Sequence, residues 1–307
     1  MTLPARIRIV EVGPRDGLQN EPVPVSTAVK VGLIERLLAA GLTAIEVGSF
    51  VSPRRVPQMA DTAAVMARLP PNPGGSYSVL VPNLTGFEAA RAAGAGEIAI
   101  FASASESFSQ ANINASIAES LARFAPVAEA ARAAGIAVRG YVSCVLGCPY
   151  EGAVAPQAVA AVAQRLVALG CREISLGDTI GAGTPDEARA CVAAVAAQVP
   201  PERLALHVHD TRGLALANIR ACLDLGIAVV DAAVTGLGGC PYAPGATGNV
   251  ATEAVVADLA RLGIATGVDP VRLAEAGRFV TDALVRAREE AARPGQSVQA
   301  AGPGRAR

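Results

Sequence analysis

EISLGDTIGAGTPDEARACVAAVAAQVPPERLALHVHD, residues 173–210, contains one complete strand, helix and strand in succession. Glu173 to Leu176 and Leu204 to Val208 are short apolar runs of strand length, and between them lies an Ala/Val-rich helical run. Thr184, Pro185 and Glu187 open that helix: a hydroxyl accepts from exposed N–H groups, proline suits the first turn, and a glutamate three residues on reaches back. Two parallel strands joined by a crossover helix are the expected product.

The same alternation extends in both directions. Strand candidates are Ile7 to Val12, Thr43 to Gly48, Ser76 to Val81, Glu97 to Phe101, Ala137 to Ser143 and Val229 to Val234, which with the two above make eight. Ser26 or Thr27 opens the first helix, and Gly41, Gly135, Gly170 and Gly226 close helices where a left-handed residue is needed. Eight units at roughly 33 residues each are near the proportions of a (β/α)8 TIM barrel of about 250 residues. A doubly wound sheet is the alternative, but no Gly-x-Gly-x-x-Gly follows the first strand and no composition break divides the chain. A single domain over residues 1–292 is expected, with a C-terminal helical extension from Pro270 to Ala292 and a disordered Pro/Gly/Gln/Arg tail at 293–307.

The chain has 307 residues, 51% of them hydrophobic and 17% charged, enough apolar material for a large core. Its 26 basic and 27 acidic residues give a net charge of −1, so no nucleic-acid or anionic-membrane partner is expected. Gln157, Gln164, Arg165 and Asp231 interrupt the Ala/Val-rich stretches before they reach the ~18–20 residues of a membrane span. With no signal-like segment, a cytoplasmic location is expected. The six cysteines form no CxxC pair and suggest reduced thiols, with Cys144, Cys171, Cys191 and Cys222 as packing residues.

Barrel chemistry occurs at the C-terminal ends of strands, and polar residues gather there. His207 and His209, the chain's only histidines, are two apart at a strand end, so both project toward the barrel mouth and can hold one metal ion. Barrel closure brings the first, seventh and eighth loops together, and Asp16 and Asn249 then complete the set. Two imidazoles, a carboxylate and an amide oxygen suit a divalent ion of octahedral habit, Mg or Mn, better than a closed zinc site, although zinc stays open. Arg15 is placed to stabilise an oxyanion, with Glu46 holding it. Residues 236–249 carry five glycines and read as a lid. Cys240, at its centre, lies outside any apolar periodic run and reads as a reactive thiol.

These motifs resemble the 3-hydroxy-3-methylglutaryl-CoA (HMG-CoA) lyase family of barrel metal-dependent lyases. The resemblance spans roughly residues 6 to 290 and is carried by VEVGPRDGLQNE at 10–21, IEVGSFVSP at 45–53, SLGDTIG at 175–181 and HVHDT at 207–211. GGCPYAPGATGN at 238–249 separates the lyases from the related Claisen-type synthases. The resemblance implies metal ligation by Asp16, His207, His209 and Asn249, and catalysis by Arg15, Glu46, Cys240, Asp16 and His207. It also places Arg15, Ser116, Ser175 and Asp178 in the substrate pocket. Gln110, Ala111 and Pro22 depart from the family where basic residues are common, which removes expected contacts to coenzyme A phosphates.

The implied reaction cleaves HMG-CoA into acetoacetate and acetyl-CoA. Asp16 or His207 takes the hydroxyl proton, Arg15 stabilises the thioester enolate and Cys240 protonates its carbon. The expected partners are an acyl-CoA substrate and a second copy of the chain in a homodimer; leucine degradation or another acyl-CoA route is served. Rival readings are a lyase for a longer 3-hydroxyglutaryl-CoA, a Claisen-type synthase and a barrel that binds metal without catalysis. After the barrel too few residues remain for a synthase's regulatory domain of about 100.

Overall fold

Short apolar runs become strands and the longer amphipathic runs become helices throughout residues 3–238 and 248–292, which the computed structural model describes. The strands are β1 (Arg8–Glu11), β2 (Ala44–Ser49), β3 (Ser76–Leu80), β4 (Glu97–Ser103), β5 (Ala137–Ser143), β6 (Glu173–Asp178), β7 (Leu204–Val208) and β8 (Val229–Ala232). All pair in parallel and in sequence order. Arg8 opposite Val229 through Glu11 opposite Ala232 closes the barrel, as the sequence pattern predicts. The helices that cover it are α1 (Thr27–Ala39), α2 (Thr62–Met66), α3 (Leu84–Ala92), α4 (Glu106–Ile113), α5 (Ile117–Ala133), α6 (Pro156–Ala168), α7 (Pro185–Ala196), α8 (Ala215–Leu223), α9 (Thr252–Arg261) and α10 (Pro270–Ala292).

The expected caps form. Ser26 accepts from Val29 N–H at α1, and Thr184 and Glu187 make a reciprocal capping box at α7. The fourth unit holds two helices where the periodicity suggests one run: Asn114, left-handed at φ 50°, ends α4, and Ser116 starts α5. The eighth strand ends at Ala232, because Val234–Gly236 turns into a short 3-10 segment. The C-terminal helix α10 buries Leu273, Ala276, Gly277, Val280, Ala283 and Leu284 at helical spacing. It packs on α1, where Arg36 stacks 3.9 Å over Phe279. Among the described residues no helix is long and apolar enough to cross a membrane. The tail at 293–307 lies outside the described residues, as does most of the lid expected at 236–249.

One turn sets up the barrel mouth. After β1 the chain makes a single π-helical turn, Gly13–Gly17, in which the N–H groups of Arg15, Asp16 and Gly17 all point at the Val12 carbonyl, 2.7–3.3 Å away. Only glycine fits at its ends: a Cβ on Gly13 would meet Glu11 Oε1 at 2.5 Å, and one on Gly17 would meet Leu237 Cβ at 2.6 Å. Glu11 is the strut beneath. Its carboxylate accepts from Gly13 N–H (2.9 Å), Val234 N–H (2.9 Å) and Thr252 Oγ1 (2.7 Å), tying the first loop to the eighth and to the start of α9.

Burial pushes the Glu11 carboxyl up to about 7, against the three donors that pull it down. A folded-state pKa above the unfolded one makes this group's stabilisation complete at acid pH and lost as pH rises through 7. Glu11→Gln turns an amide N–H2 toward donors, so it should destabilise the fold by about 1–3 kcal/mol. Thermal melts across roughly pH 5 to 8 should show the gap between wild type and Glu11→Gln widest at the acid end.

Candidate active site

Charged and polar residues stand level with one another in β5 to β8, in strands otherwise built mostly of Val, Ile, Leu, Ala and Gly. Register sets Arg139 opposite Glu173, Tyr141 opposite Ser175 and His207 opposite Asp231. Asp231 is the hub. Its oxygens receive Arg139 Nη2 (2.6 Å), Arg139 Nη1 (3.0 Å) and Ser175 Oγ (2.7 Å), and His207 Nδ1 lies 3.3 Å away. Burial would raise the Asp231 carboxyl, but Arg139 and the His207 hydrogen bond hold it well below the carboxylate range. Arg139 also donates to Glu173 Oε1 at 2.7 Å, and Arg8 bonds the other oxygen of that carboxylate.

Above this floor stand the residues of the π turn. Arg15 is buried and donates through Nε to Glu46 Oε2 (2.7 Å) and through Nη1 to Asp16 Oδ1 (2.6 Å). Tyr141 Oη donates to the same Glu46 oxygen at 3.2 Å. Burial opposes the Arg15 charge, yet Glu46 and Asp16 outweigh it and keep the guanidinium a cation. Asp16 is raised by burial but brought down to about 2 by Arg15, His207 and His209. His207 and His209 diverge: burial lowers both, but Asp231 and Asp16 raise His207 overall, whereas His209 falls to about 4 beside its neighbour.

Asn249 arrives by backbone pairing. His209 and Asn249 form an antiparallel bridge, Val250 N–H donates to Val208 O, and Asn249 Nδ2 reaches Asp16 Oδ2 at 2.9 Å. Asp16, His207 and His209 each offer a ligand atom within 4.8 Å of the others. His209 Nδ1 and Asn249 Oδ1 are buried with no hydrogen-bond partner among the described residues. Two unsatisfied acceptor-capable atoms, two imidazoles and a carboxylate form a donor set that a hard divalent cation would satisfy.

These groups open into a cavity of about 480 Å³ at the C-terminal mouth of the barrel. Arg15, Asp16, His207, His209, Tyr141 and Thr179 line it, and Val51, Leu80, Phe101 and Phe108 supply apolar wall. Three residues expected in the substrate pocket are not among those that line this cavity. Ser116 is the N-cap of α5, exchanging hydrogen bonds with Glu119. Ser175 lies in the floor, spent on Asp231. Asp178 accepts from Ala182 and Gly183 N–H and shapes the loop after β6. Gln110 and Ala111 sit on exposed positions of α4, and Cys240 lies outside the described residues.

The sequence matches the HMGL-like family over residues 6–280. The chain belongs to that family. It is 59% identical over 284 residues to the 3-hydroxy-3-isohexenylglutaryl-CoA/hydroxy-methylglutaryl-CoA lyase of Pseudomonas aeruginosa, covering 92% of this chain and 95% of that one. It is 58% identical to the mitochondrial hydroxymethylglutaryl-CoA lyase of Macaca fascicularis, over 93% of this chain and 88% of the relative. The crystal structure of hydroxymethylglutaryl-CoA lyase from Pseudomonas aeruginosa superposes with a TM-score of 0.91 at 59% identity, over 92% and 95% of the two chains.

Tyr141, which lines the cavity, and Arg139 and Asp231, which lie beneath it, carry contacts to Glu46 and His207 that the sequence alone does not reveal. A charged residue at an inward position of an apolar strand was the available signal. Arg139→Met should leave Asp231 and Glu173 buried without their shared cation and cost about 3–5 kcal/mol, read as a lower midpoint in urea unfolding.

Proposed function

We propose that this chain is a metal-dependent lyase that cleaves HMG-CoA into acetoacetate and acetyl-CoA, with residues 1–292 acting as one catalytic domain. The observation that carries this reading is the convergence of the Arg15–Glu46 pair with Asp16, His207 and His209 on one cavity. The lyase names of relatives near 59% identity support the substrate.

Asp16, His207 and His209 would hold a divalent ion, Mg or Mn, with Asn249 Oδ1 as a further ligand. When bound, such an ion supplies Lewis acidity toward the substrate's oxygens. The chain's own groups divide the rest. The tertiary hydroxyl proton passes to Asp16 or His207, and its oxygen becomes the keto oxygen of acetoacetate as the C2–C3 bond breaks. Those bonding electrons form the thioester enolate, whose oxygen Arg15 stabilises. Glu46 and Tyr141 keep Arg15 from turning away, so the cation is in place before charge develops. Cys240 then gives its proton to the enolate carbon, producing acetyl-CoA.

Purified protein assayed for acetyl-CoA and acetoacetate should be inactive in EDTA and regain activity with Mg or Mn. Absence of cleavage under every metal, in folded protein that binds Mn, would sink the reading. Arg15→Gln should lose about 10²–10³ in kcat while keeping its Mn affinity. His209→Ala should lose Mn affinity first, measured by calorimetry, and Cys240→Ser should lower kcat with KM little changed.

A further inference from the structure

We infer that Arg55, at the rim of the cavity, binds a phosphate of the substrate's coenzyme A portion. The inference rests on the acyl-CoA reading. An acyl-CoA carries its reacting carbonyl at one end of a long pantetheine arm and its phosphates at the other. The reacting end must reach the buried Asp16, His207 and His209, so the phosphates fall at the solvent-facing rim.

Few of the described cations stand at this cavity to meet them. Among the described residues, Arg15 and Arg55 are the only arginines or lysines that line the cavity. Arg15 is committed to Glu46 and Asp16. Lys30, the sole lysine, is buried in an ion pair with Asp61. On the α4 side Arg123 donates to the carbonyls of Ile113 and Asn114, and Gln110 is bonded to Asn114 at 2.6 Å. Arg55 is exposed, and its guanidinium has no hydrogen bond or ion pair among the described residues.

Its backbone, in contrast, is fixed. The N–H groups of Arg55 and Val56 both donate to Ser52 O, at 2.9 and 3.0 Å, and the Gln58 side chain ties the loop to Glu21 O at 2.7 Å. A firmly held Cα carrying an uncommitted guanidinium at the edge of this cavity suits charge-assisted recognition of phosphate. Gln110, Ala111 and Pro22 stand where basic residues were expected, and Arg55 supplies from the β2–α2 loop the positive charge they lack.

The test compares wild type, Arg55→Gln and Arg54→Gln, the last an adjacent exposed arginine that does not line the cavity. With HMG-CoA as substrate, Arg55→Gln should raise KM about tenfold with far less change in kcat, and Arg54→Gln should raise it much less. The matching pantetheine thioester, which has no phosphate beyond the arm, should show equal KM values for Arg55→Gln and wild type. The 3′-dephospho-CoA thioester tells which phosphate is met: a KM difference that persists assigns the diphosphate, and one that disappears assigns the 3′-phosphate. An unchanged KM for HMG-CoA, or an equal rise with the pantetheine thioester, would overturn the assignment. Should wild type fail to cleave HMG-CoA, titration with coenzyme A itself separates the two ideas: a Kd about tenfold weaker in Arg55→Gln upholds the phosphate contact, and an unchanged Kd removes it.

Discussion

The carboxylate of Asp231 holds the lower half of this site together. It sits in the barrel interior and receives a two-pronged arginine, a serine hydroxyl and an imidazole. Those groups come from β5, β6 and β7, so one side chain of β8 cross-links three other strands through the centre of the barrel. The contact with His207 has a second effect. An imidazole whose Nδ1 faces a carboxylate is fixed in rotation and tautomer, which leaves Nε2 to face Asp16, 3.9 Å away. A barrel filled only with Val and Leu would pack as well, but nothing in it would choose which nitrogen faces the cavity.

The upper half answers to a different constraint. Arg15 and Asp16 are adjacent, and an ordinary strand would send them to opposite faces. The π turn abolishes that alternation, so both side chains reach the same side of the mouth and bond each other. Glu11 and the two glycines are what the turn requires: the former supplies acceptors for backbone N–H groups that the chain's abrupt exit leaves unpaired, and the latter leave room for Glu11 and Leu237. Turn geometry and chemistry are therefore the same feature at this point.

This division explains what could be read from the sequence. Strand and helix positions follow from local periodicity, and His207 and His209 from their spacing. Arg15 and Asp16 were legible as candidates because barrel chemistry occurs at strand ends, and Glu46 as the carboxylate that could hold Arg15. Asn249 required the closure of β8 on β1, which the count of eight units supplied. Arg139, Tyr141 and Asp231 escaped because their roles depend on cross-barrel register, and in sequence Asp231 is only a charge that interrupts an apolar run. Ser116 shows the opposite case: a serine two residues after Asn114 serves the local need of a helix start, and its hydroxyl bonds within its own first turn.

The two halves also differ in how they can vary. The floor is a closed set of buried charges in which each group has its partner, so a change in one strands another. The rim carries groups such as Arg55 whose charge is met by solvent and whose replacement leaves no buried charge behind. Reaction chemistry that rests on this floor is thereby insulated, whereas recognition of the far end of a long substrate is placed where substitution costs the fold little. A family can hold one reaction fixed and move its contacts to the coenzyme from one loop to another. The absence of basic residues at 110 and 111 alongside an uncommitted Arg55 is the pattern that such a shift would leave.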